Sequence, residues 1–388
     1  MDKNNIYLAS KPRYEILDGL RGVASLLVVA FHLFETYSHG PLTQIINHGY
    51  LAVDFFFVLS GFVIGYAYDD RWDRMSTWNF FKRRLVRLHP MVIFGSLLGL
   101  MLFYLGSSSA FPLIDKTPWW TVLLIFLWCC TMIPVGKDCD IRGWQETNPL
   151  NGPTWSLQWE YLANILYALF IRRMNKFWLA VCVCLFAVLT VNITMSLDLF
   201  GVAGPNKMYC VIGGWSTAPD QLVIGISRLL YPFFMGLLLS RMNHLIKVRG
   251  GFWWCSLLIA VIMVVPRIGG SQQMWMNGLY ETVAILILFP VIVSMGAGSQ
   301  VTDKRSMAVC KFFGELSYPL YITHYPFIYI QIAWAAAHPD ASTSTIVMVS
   351  AGLYIMSLFT AYAAFKLYDL PVRAWLKKKL FAATAKAS

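Results

Sequence analysis

Arg21 and His32 stand eleven residues apart within one apolar stretch. Eleven steps of about 100° return to nearly the same helix face, about 16 Å further along the axis. One face would then carry a guanidinium near one end and an imidazole in the opposite half. Histidine gains and loses a proton near neutral pH, which is what general-base work on a hydroxyl requires. A packing histidine is the plain alternative, and the guanidinium in register with it leaves the two readings evenly matched. Asp54, in Ala52-Val53-Asp54-Phe55-Phe56-Phe57, falls in the next apolar stretch at about the depth of His32. A carboxylate there would orient the imidazole and stabilise its protonated form, as in a serine-histidine-aspartate relay; the alternative is a buried acid paired with some other donor. Between Phe80 and Pro90, Arg84 and Arg87 are three apart, so on a helix they share a face, and their planar forks suit phosphate. A basic loop of this kind is also an ordinary topology signal. Glu160, Arg228 and His324 interrupt later apolar stretches, with Glu315 nearby, and together they point to a polar cavity through the bundle. Glu281 is the weakest of these candidates, lying close to an expected membrane surface. Trp119, Trp120, Trp144, Trp155 and Trp215 are able to stack on a sugar face, but an interfacial aromatic belt is the better explanation for most of them.

The elements that must hold these residues are membrane helices. Of 388 residues, 57% are hydrophobic and 13% charged, against about 25% charged in a soluble domain. A net charge of +11 alone would also suit nucleic acid, but the apolar excess selects the bilayer and no nucleic-acid partner is expected. The eight Cys are scattered without CxxC spacing, so neither a disulfide framework nor a metal site is indicated. Spans need about 20 apolar residues, and stretches of that order recur at 16–37, 49–68, 89–106, 118–136, 154–171, 177–195, 222–240, 252–268, 279–298, 314–337 and 345–368. The first is read as an uncleaved helix. Cytoplasmic loops should hold most Lys and Arg. If the clusters near Lys3, at 71–87, 172–176, 241–249 and 304–311 and from Lys366 to Lys386 are all inside, 25 of the 31 basic residues are cytoplasmic. Five, including Lys137 and Lys207, would be outside, and Arg228 would lie within a span. Eleven crossings would break this bias, whereas a segment at 118–136 that dips in and returns preserves it. The expectation is an all-α polytopic bundle of about ten transmembrane helices plus one re-entrant segment, with both termini cytoplasmic. Residues 1–376 would form a single integral membrane domain and 377–388 a short basic tail.

Several motifs follow one another in a familiar order. They run from Leu17-Asp18-Gly19-Leu20-Arg21-Gly22 to Phe31-His32, then Val53-Asp54-Phe55-Phe56-Phe57-Val58-Leu59-Ser60-Gly61-Phe62, Arg84-Leu85-Val86-Arg87, Trp155-Ser156-Leu157 with Glu160, and Ser317-Tyr318 to His324. The set resembles the acyltransferase-3 family of integral membrane acyltransferases over nearly the whole chain. The resemblance implies a ten-helix domain in a cell membrane, the bacterial inner or plasma membrane, that moves an acyl group from cytoplasmic acyl-CoA to a hydroxyl. The group is most often acetyl, and the hydroxyl is commonly on a sugar outside. Arg21, Arg84 and Arg87 would hold the donor's phosphates and His32 would be the essential catalytic residue. No permanently bound cofactor is implied; acyl-CoA is a substrate, and the partners are the bilayer, a carbohydrate acceptor and polysaccharide assembly proteins. Some members carry a fused hydrolase-like domain, which this chain is expected to lack. Chemistry and resemblance agree on a layout in which the CoA nucleotide sits at a basic inner mouth and the pantetheine arm threads the bundle towards His32. Asp54 would hold the imidazole, and Arg228 or a backbone N–H of the re-entrant segment would meet the oxyanion. Direct transfer and a covalent acyl-enzyme on His32 or Ser60 both stay open. The rival class is a secondary transporter of a small anionic substrate, although no pair of related halves with corresponding interrupted helices is visible.

Overall fold

The computed structural model describes residues 11–38, 43–201, 208–242 and 244–381. Lys3, Lys207 and residues 382–388 of the expected tail, Lys386 among them, lie outside the described residues. All regular structure among those described is helical. In chain order, α1 is Glu15–Glu35, α2 Ala52–Tyr68, α3 Thr77–Met101, α4 Trp119–Cys129, α5 Thr154–Leu169, α6 Lys176–Thr194 and α7 Pro219–Met242. They are followed by α8 Gly251–Val264, α9 Trp275–Val283, α10 Phe289–Gly298, α11 Lys304–Thr323, α12 Tyr325–Ala337, α13 Thr343–Ala363 and α14 Leu370–Phe381. Among the described residues seven helical stretches are long and apolar enough to cross a membrane, including the continuous Trp275–Gly298 and Thr343–Phe381. The chain is a multi-pass helical membrane protein.

Polar caps start several helices where apolar pattern alone would not. The side chains of Ser76, Asn175, Asp303 and Ser342 each accept a hydrogen bond from the backbone N–H three residues on, satisfying a donor that a first turn leaves orphaned. The Ser76 cap explains the largest difference from the sequence expectation. The supposed basic loop at 71–87 is from Thr77 onward the first three turns of α3, because Lys and Arg are good helix formers that a hydropathy window passes over. α9 and α10 are joined by a π-helical turn, Ala284–Leu288, and α13 and α14 by another, Ala364–Asp369. Each precedes a proline, Pro290 or Pro371, whose missing N–H interrupts the α ladder. The second turn directs Asp369 inward, where it is buried. α14 continues to Phe381, so the expected boundary at 376 falls inside a helix.

Close crossings fix the frame. A Cβ on Gly61 of α2 would strike the Phe233 carbonyl of α7, and one on Gly236 of α7 would strike the Val58 carbonyl of α2. Small residues let two membrane helices touch backbone to backbone. Gly22 of α1 lies against Phe313 in the same way, which locks α1 against α11.

α4 has 11 residues, about 16 Å of helix against a hydrocarbon core of about 30 Å. Beyond it Met132, with φ +63°, packs with Leu88, Met91 and Val92 near the middle of α3. The chain then turns back: Val135 N–H donates to the Thr147 carbonyl (2.9 Å), and Thr147 N–H to that of Trp215 (2.7 Å).

Candidate active site

Three cavities follow one another through the bundle. A basic mouth of about 250 Å³ is bounded by α14, the first turns of α3 and the start of α1. Arg21, Arg84 and Arg87 line both this mouth and a narrow middle cavity of about 120 Å³, which also carries Ser60, Glu160 and Tyr318. Val53 and Tyr321 line both the middle cavity and an aromatic chamber of about 660 Å³ at the other end. The expected single face of α1 is what runs along this path: Arg21 and Ser25 line the middle cavity, Val28 and His32 the chamber.

His32 is half-buried in the chamber wall. Its Nδ1 lies 2.9 Å from Glu35 Oε2, one helical turn further on the same helix, where i and i+3 side chains meet. A carboxylate on Nδ1 keeps the proton there and leaves the Nε2 lone pair for the cavity. The Tyr325 ring meets the imidazole edge-on at 4.9 Å. His324 stacks on it at 5.6 Å with 26° between the planes.

Asp54, expected to orient the imidazole, is instead engaged elsewhere. Fully buried, it accepts from Arg228 Nη2 (2.7 Å) and Nε (3.3 Å), because α2 turns this position towards α7. Arg228 donates further to the Tyr50 and Gly213 carbonyls (2.6 and 3.2 Å). Four of its five N–H groups are thus taken, so Arg228, on the chamber wall, braces α2, α7 and the loop before α7. Glu160 lies in the middle cavity, not the chamber. It accepts from Arg84 (2.7 Å) and from Ser60 Oγ (3.1 Å). His324 is not mid-helix: α11 ends at it and α12 begins at Tyr325-Pro326. Its Nδ1 faces the Leu320 and Tyr321 carbonyls (3.1 and 2.9 Å), while Nε2 is buried without a hydrogen-bond partner among the described residues.

The three arginines shared by the mouth and the middle cavity differ in availability. Arg21 is held by Asp18 (2.9 Å) and Ser317 (2.8 Å), Arg84 by Glu160. Arg87 has no hydrogen-bond or ion-pair partner among the described residues. Of the tryptophans, Trp144, Trp155 and Trp215 line the chamber, whereas Trp119 and Trp120 are exposed on α4. Glu281 stands apart from these cavities, saturated by Tyr50 Oη (2.5 Å), Asn277 (2.8 Å) and the Val211 N–H (2.8 Å).

Two chamber acids were missed in the sequence reading. Glu35 announces itself only by its spacing from His32. Glu146, in the loop before α5, is buried on the chamber wall and accepts from Tyr329 Oη at 2.6 Å. Burial pushes its carboxyl up to about 7, in spite of that hydrogen bond.

Comparison with known proteins gives this geometry a family. The chain is 26% identical over 325 residues to O-acetyltransferase OatA of Staphylococcus aureus, covering 82% of this chain and 51% of that protein. It is 25% identical over 333 residues to the putative peptidoglycan O-acetyltransferase YrhL of Bacillus subtilis, covering 80% and 48%. The chain therefore spans about half the length of these two relatives. Protein 2 in picA locus of Rhizobium radiobacter is 40% identical over 168 residues, 40% of this chain and 81% of that protein. No solved structure matches. The acyltransferase-3 profile, an acyltransferase domain, matches residues 14–366, and the chain belongs to that family.

Proposed function

We propose that the protein is a membrane O-acyltransferase that moves an acyl group, acetyl in the first instance, from cytoplasmic acyl-CoA to a sugar hydroxyl presented at the opposite face. The basic end faces the cytoplasm with both termini, and the chain crosses ten times with α4 entering and returning. The observation that carries this reading is the succession of basic mouth, middle cavity and aromatic chamber along one face of α1, each sharing lining residues with the next, with the His32 imidazole at the chamber end. The family and the names of its relatives support acetyl and a glycan acceptor. A carrier draws no support from either.

In the proposed reaction Arg87, Arg84 and Arg21 bind the donor's phosphates by charge-assisted hydrogen bonds, and the weakly polar pantetheine arm passes Val53 and Tyr321. The acceptor oxygen attacks the thioester carbon while His32 Nε2 removes the hydroxyl proton. Glu35 on Nδ1 stabilises the imidazolium. The tetrahedral intermediate expels the CoA thiolate, which takes that proton as it leaves, giving the ester and CoA thiol. With most of the Arg228 donors engaged, the Tyr325 hydroxyl is the oxyanion donor: Tyr325 lines the chamber and its hydroxyl has no hydrogen-bond partner among the described residues. Direct transfer needs no further nucleophile; Ser60 lies in the middle cavity, tied to Glu160.

Purified protein in nanodiscs, given radiolabelled acetyl-CoA and a soluble glycan acceptor, tests this directly. His32→Ala should lower kcat by about 10² to 10⁴, the span of general acid–base contributions, with donor KM unchanged. Transfer by the variant at more than a tenth of the normal rate would rule out His32 as the base.

A further inference from the structure

Thr343–Phe381 is continuous over 39 residues, about 58 Å at 1.5 Å per residue and roughly twice the hydrocarbon thickness. Its last turns therefore stand clear of the apolar layer, and they lean on the start of α3. The Phe381 ring lies 5.4 Å from Lys82 Nζ and 5.3 Å from the Arg83 guanidinium. This packing carries Arg373 and Lys377 onto the wall of the basic mouth, joined by Arg13 from the segment ahead of α1. Arg373, Arg87, Arg13 and Arg83 are all within electrostatic reach of Lys377. Asp18 is the sole acid on that wall among the described residues. Arg373 is tied to Asp369 at 2.8 Å, whereas Lys377 and Arg13 have no hydrogen-bond or ion-pair partner among the described residues. Cations so gathered repel one another and draw an anion between them.

The cations fall into two groups along the path. Arg21, Arg84 and Arg87 line both mouth and middle cavity; Lys11, Arg13, Arg71, Arg83, Arg373 and Lys377 line the mouth but not the middle cavity, and of these Lys11 is already paired with Asp70 at 2.7 Å. We infer that Arg13, Arg373 and Lys377 form a second phosphate subsite, which reads the 3′-phosphate of a nucleotide thioester donor whose pyrophosphate is held by Arg21, Arg84 and Arg87. The inference rests on the donor reading above. The inner arginines suffice for one phosphate cluster, and a second set of cations at the rim matches a second anion on the same ligand.

Binding of adenosine 3′,5′-bisphosphate and of adenosine 5′-monophosphate, measured by calorimetry on protein in nanodiscs of uncharged lipid, tests the subsite. The unaltered protein should favour the bisphosphate about tenfold, the scale of one charge-assisted phosphate contact. Lys377→Gln should bring the ratio close to one. Lys377 is the cleaner position, since its removal orphans no partner; Arg373→Lys, which preserves a cation beside Asp369, should narrow the ratio less. Equal affinity of the unaltered protein for both nucleotides, or an unchanged ratio in Lys377→Gln, overturns the assignment. So does a Lys377→Gln variant that loses only its association with phosphatidylglycerol vesicles, which would make the cluster a lipid-headgroup site. Nucleotide binding is read without turnover. A protein that favours the bisphosphate but transfers no acyl group thus upholds the subsite and sinks the reaction, while equal turnover of acetyl-CoA and its 3′-dephospho form does the reverse.

Discussion

At the aromatic chamber the buried charges answer one another, Arg228 to Asp54 at 2.7 Å, while at the basic mouth Arg87, Arg13 and Lys377 answer nothing among the described residues. The contrast follows from what each end is built to receive. An ion buried without a partner is strongly penalised, so a chamber for a neutral, hydroxyl-rich acceptor must settle its own charges and offer aromatic faces. A mouth for a polyanion can leave an exposed cation such as Lys377, and even a half-buried one such as Arg87, without an ion-pair partner until the ligand supplies the counter-charge. The Arg228–Asp54 pair is in this account architectural and Arg87 functional, although both looked like site residues in the sequence.

Variants can break the contrast from either side. The largest effect belongs to Arg228→Gln, which leaves Asp54 buried and uncompensated and should cost about 3–5 kcal/mol of stability, seen as a lower melting temperature in detergent. If Arg228→Gln melts normally and loses only kcat, the arginine is catalytic and the contrast is wrong. Arg87→Gln should leave melting unchanged and raise donor KM about tenfold, the loss of one charge-assisted contact, with acceptor KM unmoved. The smallest effect concerns Glu146. Burial holds its carboxyl at about 7, above its ordinary value of 4.5, so the folded state keeps a proton that the unfolded chain has released. Stability contributed by this group is therefore lost as pH rises from 4.5 to 7. Glu146→Gln should flatten the melting temperature over that window; a slope identical to that of the unaltered protein would mean the carboxyl is already ionised.

Much of the fold is legible in the sequence because apolar runs of bilayer length are hard to mistake, and the face shared by Arg21 and His32 follows from helix geometry alone. Helix starts hidden in charge were not legible. The Ser76 cap and the basic first turns of α3 read as a loop, and α14 read as a tail. In the site, helix register is legible but the partner a side chain meets is not. Asp54 does lie beside the chamber level, but a sequence carries no sign of which neighbour a buried carboxylate will face, and its partner is 174 positions away. Glu35 was recoverable by local spacing. Glu146, Arg373 and Lys377 were not, since each reaches its cavity only through tertiary packing.

The claim on which the rest depends is that donor and acceptor meet through the neck where Val53 and Tyr321 line both the middle cavity and the chamber. Val53→Trp would fill that neck without touching a charge. Acetyl-CoA binding to this variant, measured alongside transfer to an acceptor, should stay within about twofold of normal while transfer falls at least about a hundredfold, or some 2.7 kcal/mol. Transfer at the normal rate through a blocked neck would contradict the account.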